Sequence, residues 1–168
     1  MSLFDLTGRV ALVTGASSGL GARFAEVLAK QGANVVIAAR RLERLEEKAK
    51  KIESLGVECL PVKCDITKEE EVVSAVSEAI SRFGKVDILV NNAGLAIGGK
   101  AENVLGKDFK SVLDVNINGV FYMAREVGKN MIENNYGRII NIASAYGAVG
   151  NKFSPTIAYH TSKGAVIN

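Results

Sequence analysis

The stretch from Thr14 to Gly21 constrains the fold of this chain more than any other part of the sequence, because it places three glycines within seven residues. It follows a short apolar run, Arg9–Val13, with the composition of a buried strand. Apolar residues at helical spacing, Phe24, Val27 and Leu28, come after it. We therefore predict a strand, a glycine turn and a helix in this order, an arrangement typical of phosphate-binding turns.

Each glycine of the turn has its own physical role. Gly15 permits the tight turn off the strand, Gly19 lets the backbone approach a pyrophosphate, and Gly21 lets the helix pack closely on the sheet. The spacing alone also occurs in glycine-rich loops that bind nothing, but the flanking strand and helix favour a nucleotide site, with phosphates bound by free N–H groups at the helix start. The predicted cofactor contacts in this stretch are Gly15, Ser17, Ser18, Gly19, Leu20 and Gly21.

Length, composition and charge limit the class of protein. The chain has 168 residues, of which 48% are hydrophobic and 23% are charged, as expected for one α/β domain. We predict a cytoplasmic protein without a membrane span, because there is no run of about 18 apolar residues and Met1–Asp5 does not resemble a signal peptide. A net charge of +3 does not favour nucleic acid binding. Cys59 and Cys64 lack metal-ligand spacing, so we predict buried, reduced thiols and no metal site.

Further apolar runs alternate with amphipathic helical patterns along the chain. Strand, helix and strand within about thirty residues form a βαβ unit, so the sequence predicts a parallel sheet. The last long helical pattern, from about Lys107 to Asn134, is weakened at Asn116–Gly119, and such a violation of helix propensity often marks a functional site. The four further predicted strands are Asn34–Ala39, Val57–Val62, Val86–Val90 and Arg138–Ile142.

Residues at the ends of the second and third strands bear on the choice of cofactor. In dinucleotide-binding folds an acid near the end of the second strand binds the ribose of NAD, whereas a base accommodates the 2′-phosphate of NADP. Here the strand runs into Arg40 and Arg41, which favours NADP over NAD, although Arg41 could simply begin a solvated helix. Asp65 follows the third strand and could either accept a hydrogen bond from an adenine amino group or cap the next helix.

Polar motifs also follow the fourth and fifth strands. The small residues of Asn91–Gly94 suggest another close approach of backbone to ligand, and Ser144 stands just past the fifth strand. The chain resembles the short-chain dehydrogenase/reductase superfamily in five motifs that occur in the family's order: Thr14–Gly21, Asn91–Gly94, Asn116, Ser144 and Tyr159-x-x-x-Lys163.

That resemblance implies an α/β fold with a doubly wound parallel sheet of the Rossmann type, a nicotinamide cofactor and a small-molecule alcohol or ketone as substrate. It implies that Asn91, Ala93 and Gly94 contact the cofactor. The implied catalytic residues are Asn116, Ser144, Tyr159 and Lys163, of which Tyr159 and Lys163 also contact the cofactor.

The chemistry expected of these residues follows from their side chains. Tyr159 and Lys163 are four positions apart and share one face of a helix, where an ammonium group stabilises a nearby phenolate. Tyr159 can then take the proton of an alcohol or donate a proton to a ketone. Ser144 would hydrogen-bond the reacting oxygen, Lys163 would hold the nicotinamide ribose, and by family analogy Asn116 would bend its helix and keep a water near Lys163.

Simpler interpretations exist for the same residues. Tyr159 and Lys163 could be a packed aromatic residue and a solvated charge, Ser144 a helix or turn cap, and Asn116 a turn residue. The gap between Ser144 and Tyr159 is about two positions longer than is common in the family, and the commoner spacing points to Tyr146. Only Ser144 directly follows the strand. His160 points about 100° away from Tyr159 on a helix, so we predict a surface or substrate-loop residue rather than a catalytic one.

The substrate class is the least constrained prediction. The segment Ser154–Tyr159 is similar to gluconate 5-dehydrogenases and related sugar-acid or polyol dehydrogenases. The 3-oxoacyl-carrier-protein reductases are the alternative, because Gly150-Asn151 and Arg138–Ile142 resemble them. That group usually carries a Thr-Arg-Asp-like stretch where this chain has Leu95–Gly98, so we favour a sugar acid or polyol. A lipid or steroid carbonyl also stays open.

The resemblance further predicts that the chain is C-terminally incomplete. Members of the superfamily continue well beyond the Tyr-Lys helix into a substrate-binding part, whereas this chain stops at Asn168. A nucleotide-binding fragment without turnover, or a non-enzymatic scaffold, are therefore the alternatives to an active dehydrogenase. In the family, helices corresponding to Val112–Met131 and to the helix from Tyr159 pair between subunits, which implies a homodimer or homotetramer.

Overall fold

Five strands form one parallel sheet in the computed structural model, which describes residues 3–150, 153 and 155–168. The sequence arguments that involve Met1, Ser2, Asn151 and Ser154 fall outside the described residues. The strands are β1 (Val10–Thr14), β2 (Asn34–Ala39), β3 (Cys59–Lys63), β4 (Ile88–Asn91) and β5 (Arg138–Asn141).

Helices connect successive strands, as the alternating patterns predict. The long helical pattern is divided by a π-helical turn, Asp114–Asn118, so the predicted interruption at Asn116 is confirmed. The α-helices of the described chain are α1 (Gly19–Lys30), α2 (Leu42–Glu53), α3 (Glu69–Phe83), α4 (Gly106–Leu113), α5 (Gly119–Glu133) and α6 (Ile157–Ile167).

The sheet has the order β3-β2-β1-β4-β5, and every pair of neighbours is parallel. Val13 of β1 pairs with Ile37 of β2 on one side and with Val90 of β4 on the other. The chain therefore winds outward from β1 in one direction and then, from β4, in the opposite direction. This confirms the predicted doubly wound parallel sheet, and it places the switch point, where such folds bind ligands, between β1 and β4.

Helices cover both faces of the sheet at the central strands β1, β2 and β4, whereas the four residues of the edge strand β5 are exposed. Val10 and Leu12 of β1 pack with residues of α3 and α5, whereas Ala11 and Val13 pack with residues of α1 and α2. Because successive residues of a strand point to opposite faces, a strand with helices on both sides must be apolar throughout. This explains why the central strands read as continuous apolar runs.

Small residues occupy the most deeply buried positions of α1. Gly21, Ala25 and Ala29 are buried, whereas Val27 is 42% exposed and Phe24 is only partly buried. Of the three apolar residues at helical spacing, Phe24 and Leu28 pack against the core while partly buried, and Val27 does not. The helix instead presents small residues at every fourth position, which lets its backbone lie close to the sheet at the glycine turn.

The two cysteines lie on opposite faces of the sheet. Cys59 packs with the cluster beneath α1 and α2, and Cys64 packs with the cluster beneath α3 and α5. Both are buried free thiols, as predicted. Burial raises the pKa of each thiol to about 12.

Asp87 introduces a buried carboxylate at the start of β4. It is 3% exposed and accepts hydrogen bonds from the Val10 N–H (2.9 Å) and from Arg9 (3.0 Å), and it forms an ion pair with Lys85 (3.0 Å). Burial alone raises the pKa of Asp87, but the bonds from Val10, Lys85 and Arg9 outweigh it and hold the pKa below 3.8. The carboxylate therefore fixes the start of β1 against the start of β4.

Replacement of Asp87 by Asn tests this arrangement. Because the pKa of Asp87 is lowered in the folded state, its charge stabilises the fold above about pH 4, and this stabilisation is lost as the pH falls through the folded-state pKa. We expect Asp87→Asn to lower the free energy of unfolding at pH 7 by about 1–3 kcal/mol, measured by urea denaturation. The difference from wild type should shrink at pH 3.

An exposed ion pair provides the control for this experiment. Glu58 and Arg82 form a pair in which both side chains are more than half exposed. Glu58→Gln should lower the free energy of unfolding by less than about 1 kcal/mol at pH 7. A loss for Asp87→Asn that is the same at pH 3 and pH 7 would contradict the role of the charge.

Candidate functional site

The glycine turn joins β1 to α1 at the switch point of the sheet. Gly15 has a φ of +67°, and a Cβ on it would lie 2.8 Å from the Ala93 Cα. A Cβ on Gly21 would lie 2.5 Å from the Gly15 carbonyl oxygen. Gly19 has a φ of +58° and faces open space. Gly15 and Gly21 therefore permit close packing within the protein, and Gly19 leaves the start of α1 open to a ligand.

The turn after β4 is held against the glycine turn by Thr14. The Thr14 hydroxyl accepts hydrogen bonds from the N–H groups of Asn92 and Ala93, both at 3.0 Å. The Asn92 side chain also donates to the Thr14 carbonyl at 2.9 Å. Asn92 was not among the predicted site residues, although it lies within the Asn91–Gly94 motif. The sequence does not indicate these hydrogen bonds of Asn92, because they form only when β1 and β4 lie side by side in the sheet.

A cavity of about 290 Å³ opens between these two turns and the end of β2. Its walls include seven of the predicted cofactor contacts: Gly15, Ser17, Ser18, Arg40, Asp65, Ala93 and Gly94. Arg41 also lines it, together with residues that the sequence did not single out for this role: Ala38, Ala39, Cys64, Ile66, Asn92, Leu95 and Val115.

Some predicted contacts lie outside this cavity. Gly19, Leu20 and Gly21 do not line it and form the start of α1, directly after the lining residue Ser18. The Asn91 side chain is buried and donates to the Asn141 side chain at 2.9 Å, so it fastens β4 to β5 rather than lining the cavity. Its contribution to the site is support of the sheet end.

Arg40 and Arg41 bring positive charge to the rim of the cavity. Both side chains are exposed, and within the described part of the chain neither forms an ion pair. Guanidinium groups form strong, paired hydrogen bonds with phosphate oxygens. The two arginines are therefore available to an anionic group bound at this edge.

Asp65 shapes the turn that follows β3. One of its carboxylate oxygens accepts from the Thr67 N–H (3.1 Å) and hydroxyl (2.8 Å), and its own N–H donates to Glu71 at 2.8 Å. The expectation that Asp65 caps α3 is wrong in detail, because Lys68 occupies the N-cap position. The second carboxylate oxygen is left for a ligand in the cavity.

Tyr159 and Lys163 share one face of α6, as their spacing predicts. The Lys163 Nζ lies 5.6 Å from the centre of the Tyr159 ring. Lys163 is 5% exposed and donates to the Ile142 carbonyl, and burial lowers its pKa. The structure therefore excludes the interpretation of Lys163 as a solvated surface charge.

The turn after β5 lies directly against α6. A Cβ on Gly147 would lie 2.5 Å from the backbone carbonyl of Lys163, so a side chain there would push the turn away. Gly94, which lines the cavity, lies near this region. A Cβ built on Gly94 would lie 3.9 Å from the Lys163 Nζ. The Lys163 ammonium group therefore lies beside Gly94 at the cavity wall, with the Tyr159 ring next to it on α6.

Ser144 caps the short 3₁₀ turn Ala145–Gly147. Its Oγ accepts a hydrogen bond from the Tyr146 N–H at 3.2 Å. Ser144 is therefore a turn cap, as the simpler interpretation predicts. This position does not prevent its hydroxyl from bonding a substrate. Because this bond uses only a lone pair of the hydroxyl, the Ser144 proton stays free to be donated to a substrate oxygen.

Tyr146, the residue at the commoner spacing from Tyr159, packs against α6. Its ring meets Tyr159 edge-on at 6.3 Å and stacks on His160 at 4.7 Å. His160 is half-buried, and its Nδ1 lies 2.9 Å from the Thr156 carbonyl oxygen. His160 is therefore not an exposed surface residue, because Tyr146 stacks on its ring, and its assignment as a substrate-loop rather than a catalytic residue stays a prediction.

Asn116 is fully buried in the π-helical turn. Its Oδ1 accepts from the Leu95 N–H at 2.8 Å, and its Nδ2 donates to the Leu95 carbonyl at 2.9 Å and to the Ser162 hydroxyl at 2.8 Å. Both amide hydrogens are thus bonded to protein, so they are not available to the water that family analogy assigns to Asn116. Ser162 is a contact that the sequence analysis missed.

Neither a cluster of metal-ligating side chains nor a membrane-spanning helix occurs among the described residues. Across residues 3–150, 153 and 155–168, no group of three or more His, Cys, Asp and Glu side chains could hold a metal ion. Within the same ranges, no helix combines the length and apolar character needed to cross a bilayer.

The residues around the cavity fit a dinucleotide. Gly15 and Gly94 bring backbone to its walls, the N–H groups at the start of α1 suit a pyrophosphate, and Arg40 and Asp65 suit the adenosine end. The Ser18 side chain makes no capping hydrogen bond to α1, so it does not satisfy these N–H groups.

Comparison with known proteins agrees with this geometry. A family model described as short chain dehydrogenase matches residues 9–168. Gluconate 5-dehydrogenase of Gluconobacter oxydans is 36% identical over 167 residues, which are 99% of this chain and 64% of that protein.

Solved structures superimpose closely. A short-chain type dehydrogenase/reductase from Mycobacterium marinum has a TM-score of 0.95 at 36% identity, covering 98% of this chain and 65% of that one. NAD⁺-bound xylitol dehydrogenase has a TM-score of 0.92 at 38% identity, covering 96% and 62%. The chain thus spans slightly less than two thirds of the length of each of these three proteins.

Proposed function

The chain belongs to the short-chain dehydrogenase family, and from this premise we propose that the protein is an oxidoreductase that interconverts an alcohol and a ketone with a nicotinamide cofactor. One observation carries the proposal. Tyr159 and Lys163 lie together on α6, and Gly94 joins the buried ammonium group of Lys163 to a cavity that fits a dinucleotide.

The side chains have distinct tasks in this reaction. Tyr159 takes the hydroxyl proton of an alcohol in oxidation or donates a proton to the carbonyl oxygen in reduction. Ser144 donates a hydrogen bond to the same oxygen and fixes its position. Lys163 brings positive charge near the Tyr159 ring, which stabilises its phenolate form. When bound, the nicotinamide accepts or supplies the hydride.

Sugar acids and polyols are the proposed substrates. Similarity to gluconate 5-dehydrogenase and to xylitol dehydrogenase supports this class, as does the stretch Leu95–Gly98, where 3-oxoacyl-carrier-protein reductases usually carry Thr-Arg-Asp. A 3-oxoacyl substrate is the alternative, and a nucleotide-binding protein without turnover is the alternative of another class. We further propose a cytoplasmic location.

Tyr159→Phe tests the proposed chemistry. The variant lacks the proton donor and acceptor, so the turnover number with a reactive polyol should fall by a factor of about 10²–10⁴. Cofactor binding, followed by NADPH fluorescence, should change by less than about twofold, since the phenol contributes little to the cavity walls. The rate would be measured on a panel of polyols, sugar acids and 3-oxoacyl thioesters with both cofactors.

Tyr136 offers a matched control for this variant. Its ring packs beneath Arg9 and Arg138 rather than at the cavity. Tyr136→Phe should keep wild-type turnover. Full activity in Tyr159→Phe would refute the role of the phenol, whereas cofactor binding by wild type without turnover on any substrate would favour the non-catalytic alternative.

We propose NADP as the preferred cofactor because Arg40 and Arg41 lie at the rim with no ion-pair partner among the described residues. Arg40→Asp replaces a guanidinium with a charge that repels a 2′-phosphate. The ratio of kcat/KM for NADP to that for NAD should fall by at least about tenfold. Arg44→Asp makes the same charge change on the exposed surface of α2 and should leave the ratio unchanged. An unaltered ratio in Arg40→Asp would refute this assignment.

We also propose a homodimer or homotetramer that uses α5. Phe121 and Ile132 on this helix are 56% and 78% exposed. Phe121→Glu should therefore lower the assembly mass in sedimentation velocity, because a carboxylate is costly to bury in an apolar contact. Leu55→Glu, on the opposite side of the sheet, should not. A wild-type protein that sediments as a monomer would contradict the proposal.

A further inference from the structure

Ser162 has no role in the chemistry described above, yet it is completely buried beside the candidate catalytic residues. We propose that Ser162 is a positioning residue, whose hydroxyl couples the cofactor-side loop at Leu95 to the part of α6 that carries Tyr159. The inference rests on the proposed function, because it concerns the placement of the group that exchanges the proton.

The coupling runs through two consecutive hydrogen bonds. The Asn116 Nδ2 donates to the Ser162 Oγ at 2.8 Å, and the Ser162 Oγ donates to the Tyr159 carbonyl at 2.8 Å. A hydroxyl has a single proton, so the bond to Tyr159 leaves the oxygen lone pairs to accept from Asn116. Bonds that follow one another in this way polarise and strengthen each other.

The other end of the connection is the wall of the cavity. Asn116 bonds both the N–H and the carbonyl of Leu95, at 2.8 and 2.9 Å, and Leu95 lines the cavity. The side chains of Asn116 and Ser162 therefore link the backbone of the loop after β4 to the backbone of α6. Asn116 and Ser162 are both 0% exposed, so water does not compete for these bonds.

Helix formation does not require the Ser162 hydroxyl. In an α-helix the carbonyl of Tyr159 already accepts the N–H of the residue four positions later. The neighbouring Thr161 shows the contrast, because its hydroxyl donates to the Ile157 carbonyl at 3.0 Å but its side chain is exposed. Of these two hydroxyls on α6, the one on Ser162 joins the helix to Asn116.

Ser162→Ala, with Thr161→Ala as the matched control, tests the inference in the active protein. Without its hydroxyl the buried Asn116 N–H loses its acceptor, and Tyr159 is no longer tied to the loop. The turnover number of Ser162→Ala should fall about tenfold or more, with substrate KM and cofactor Kd changing less than about twofold. Thr161→Ala should change none of these quantities. If Ser162→Ala does not fold, Ser162→Cys keeps a weak donor and acceptor and should show a smaller loss in the same direction.

A double-mutant cycle separates positioning from general destabilisation. If Asn116 and Ser162 act through one connection, the turnover number of Asn116→Ala with Ser162→Ala should be no lower than that of the worse single variant. Fully additive losses, or an unchanged turnover number in Ser162→Ala, would overturn the inference while the proposed function stands.

Hydrogen exchange gives a readout that is independent of activity. In Ser162→Ala the Leu95 amide should exchange faster than in wild type, because its acceptor on Asn116 is less firmly held, and in Thr161→Ala it should not. Equal exchange in the two variants would overturn the inference whatever the activity. Absence of turnover in the wild-type protein would instead overturn the proposed function, and the Leu95 exchange would then decide the coupling alone.

Discussion

The Thr14 hydroxyl controls the separation of the two strand ends on which the site is built. It is 1% exposed and accepts from two consecutive N–H groups of the turn after β4. The fit is close, because Gly15 has no room for a Cβ beside Ala93. With these two turns fixed, the cavity has one wall on each side of the switch point, and the start of α1 opens beside it.

Among the described residues two charged side chains, Asp87 and Lys163, are buried, and their hydrogen-bond and ion-pair partners differ. Asp87, at the start of β4, lies between two cationic side chains and a backbone N–H. Lys163, near the ends of the strands, has a backbone carbonyl as its hydrogen-bond partner and forms no ion pair within the described residues. A buried ammonium group without a counter-charge is unfavourable for stability. Its position next to Tyr159 and Gly94 fits the role in proton exchange that we propose for Lys163.

Much of the fold and part of the site could be predicted from local sequence. Continuous apolar runs and the three glycines indicated the strands and the turn, because these features act on neighbouring residues. On α1, Phe24 and Leu28 pack against the core as their spacing indicated, but the deeper burial of Ala25 and Ala29 was not predictable, since alanine carries little hydrophobic signal. The partners of Ser162 and Thr14 were not predictable, because hydrogen bonds to Asn116 and Asn92 join residues 46 and 78 positions apart.

Cys64 gives the cavity an unreactive floor. It lines the cavity but is 1% exposed, and burial raises the pKa of its thiol to about 12. At neutral pH the group is therefore almost entirely protonated, and the thiolate that attacks electrophiles is scarce. A thiol-reactive molecule that entered the cavity would therefore react slowly with this cysteine. Oxidation of the Cys64 thiol is slowed for the same reason, because oxidants also attack the thiolate form.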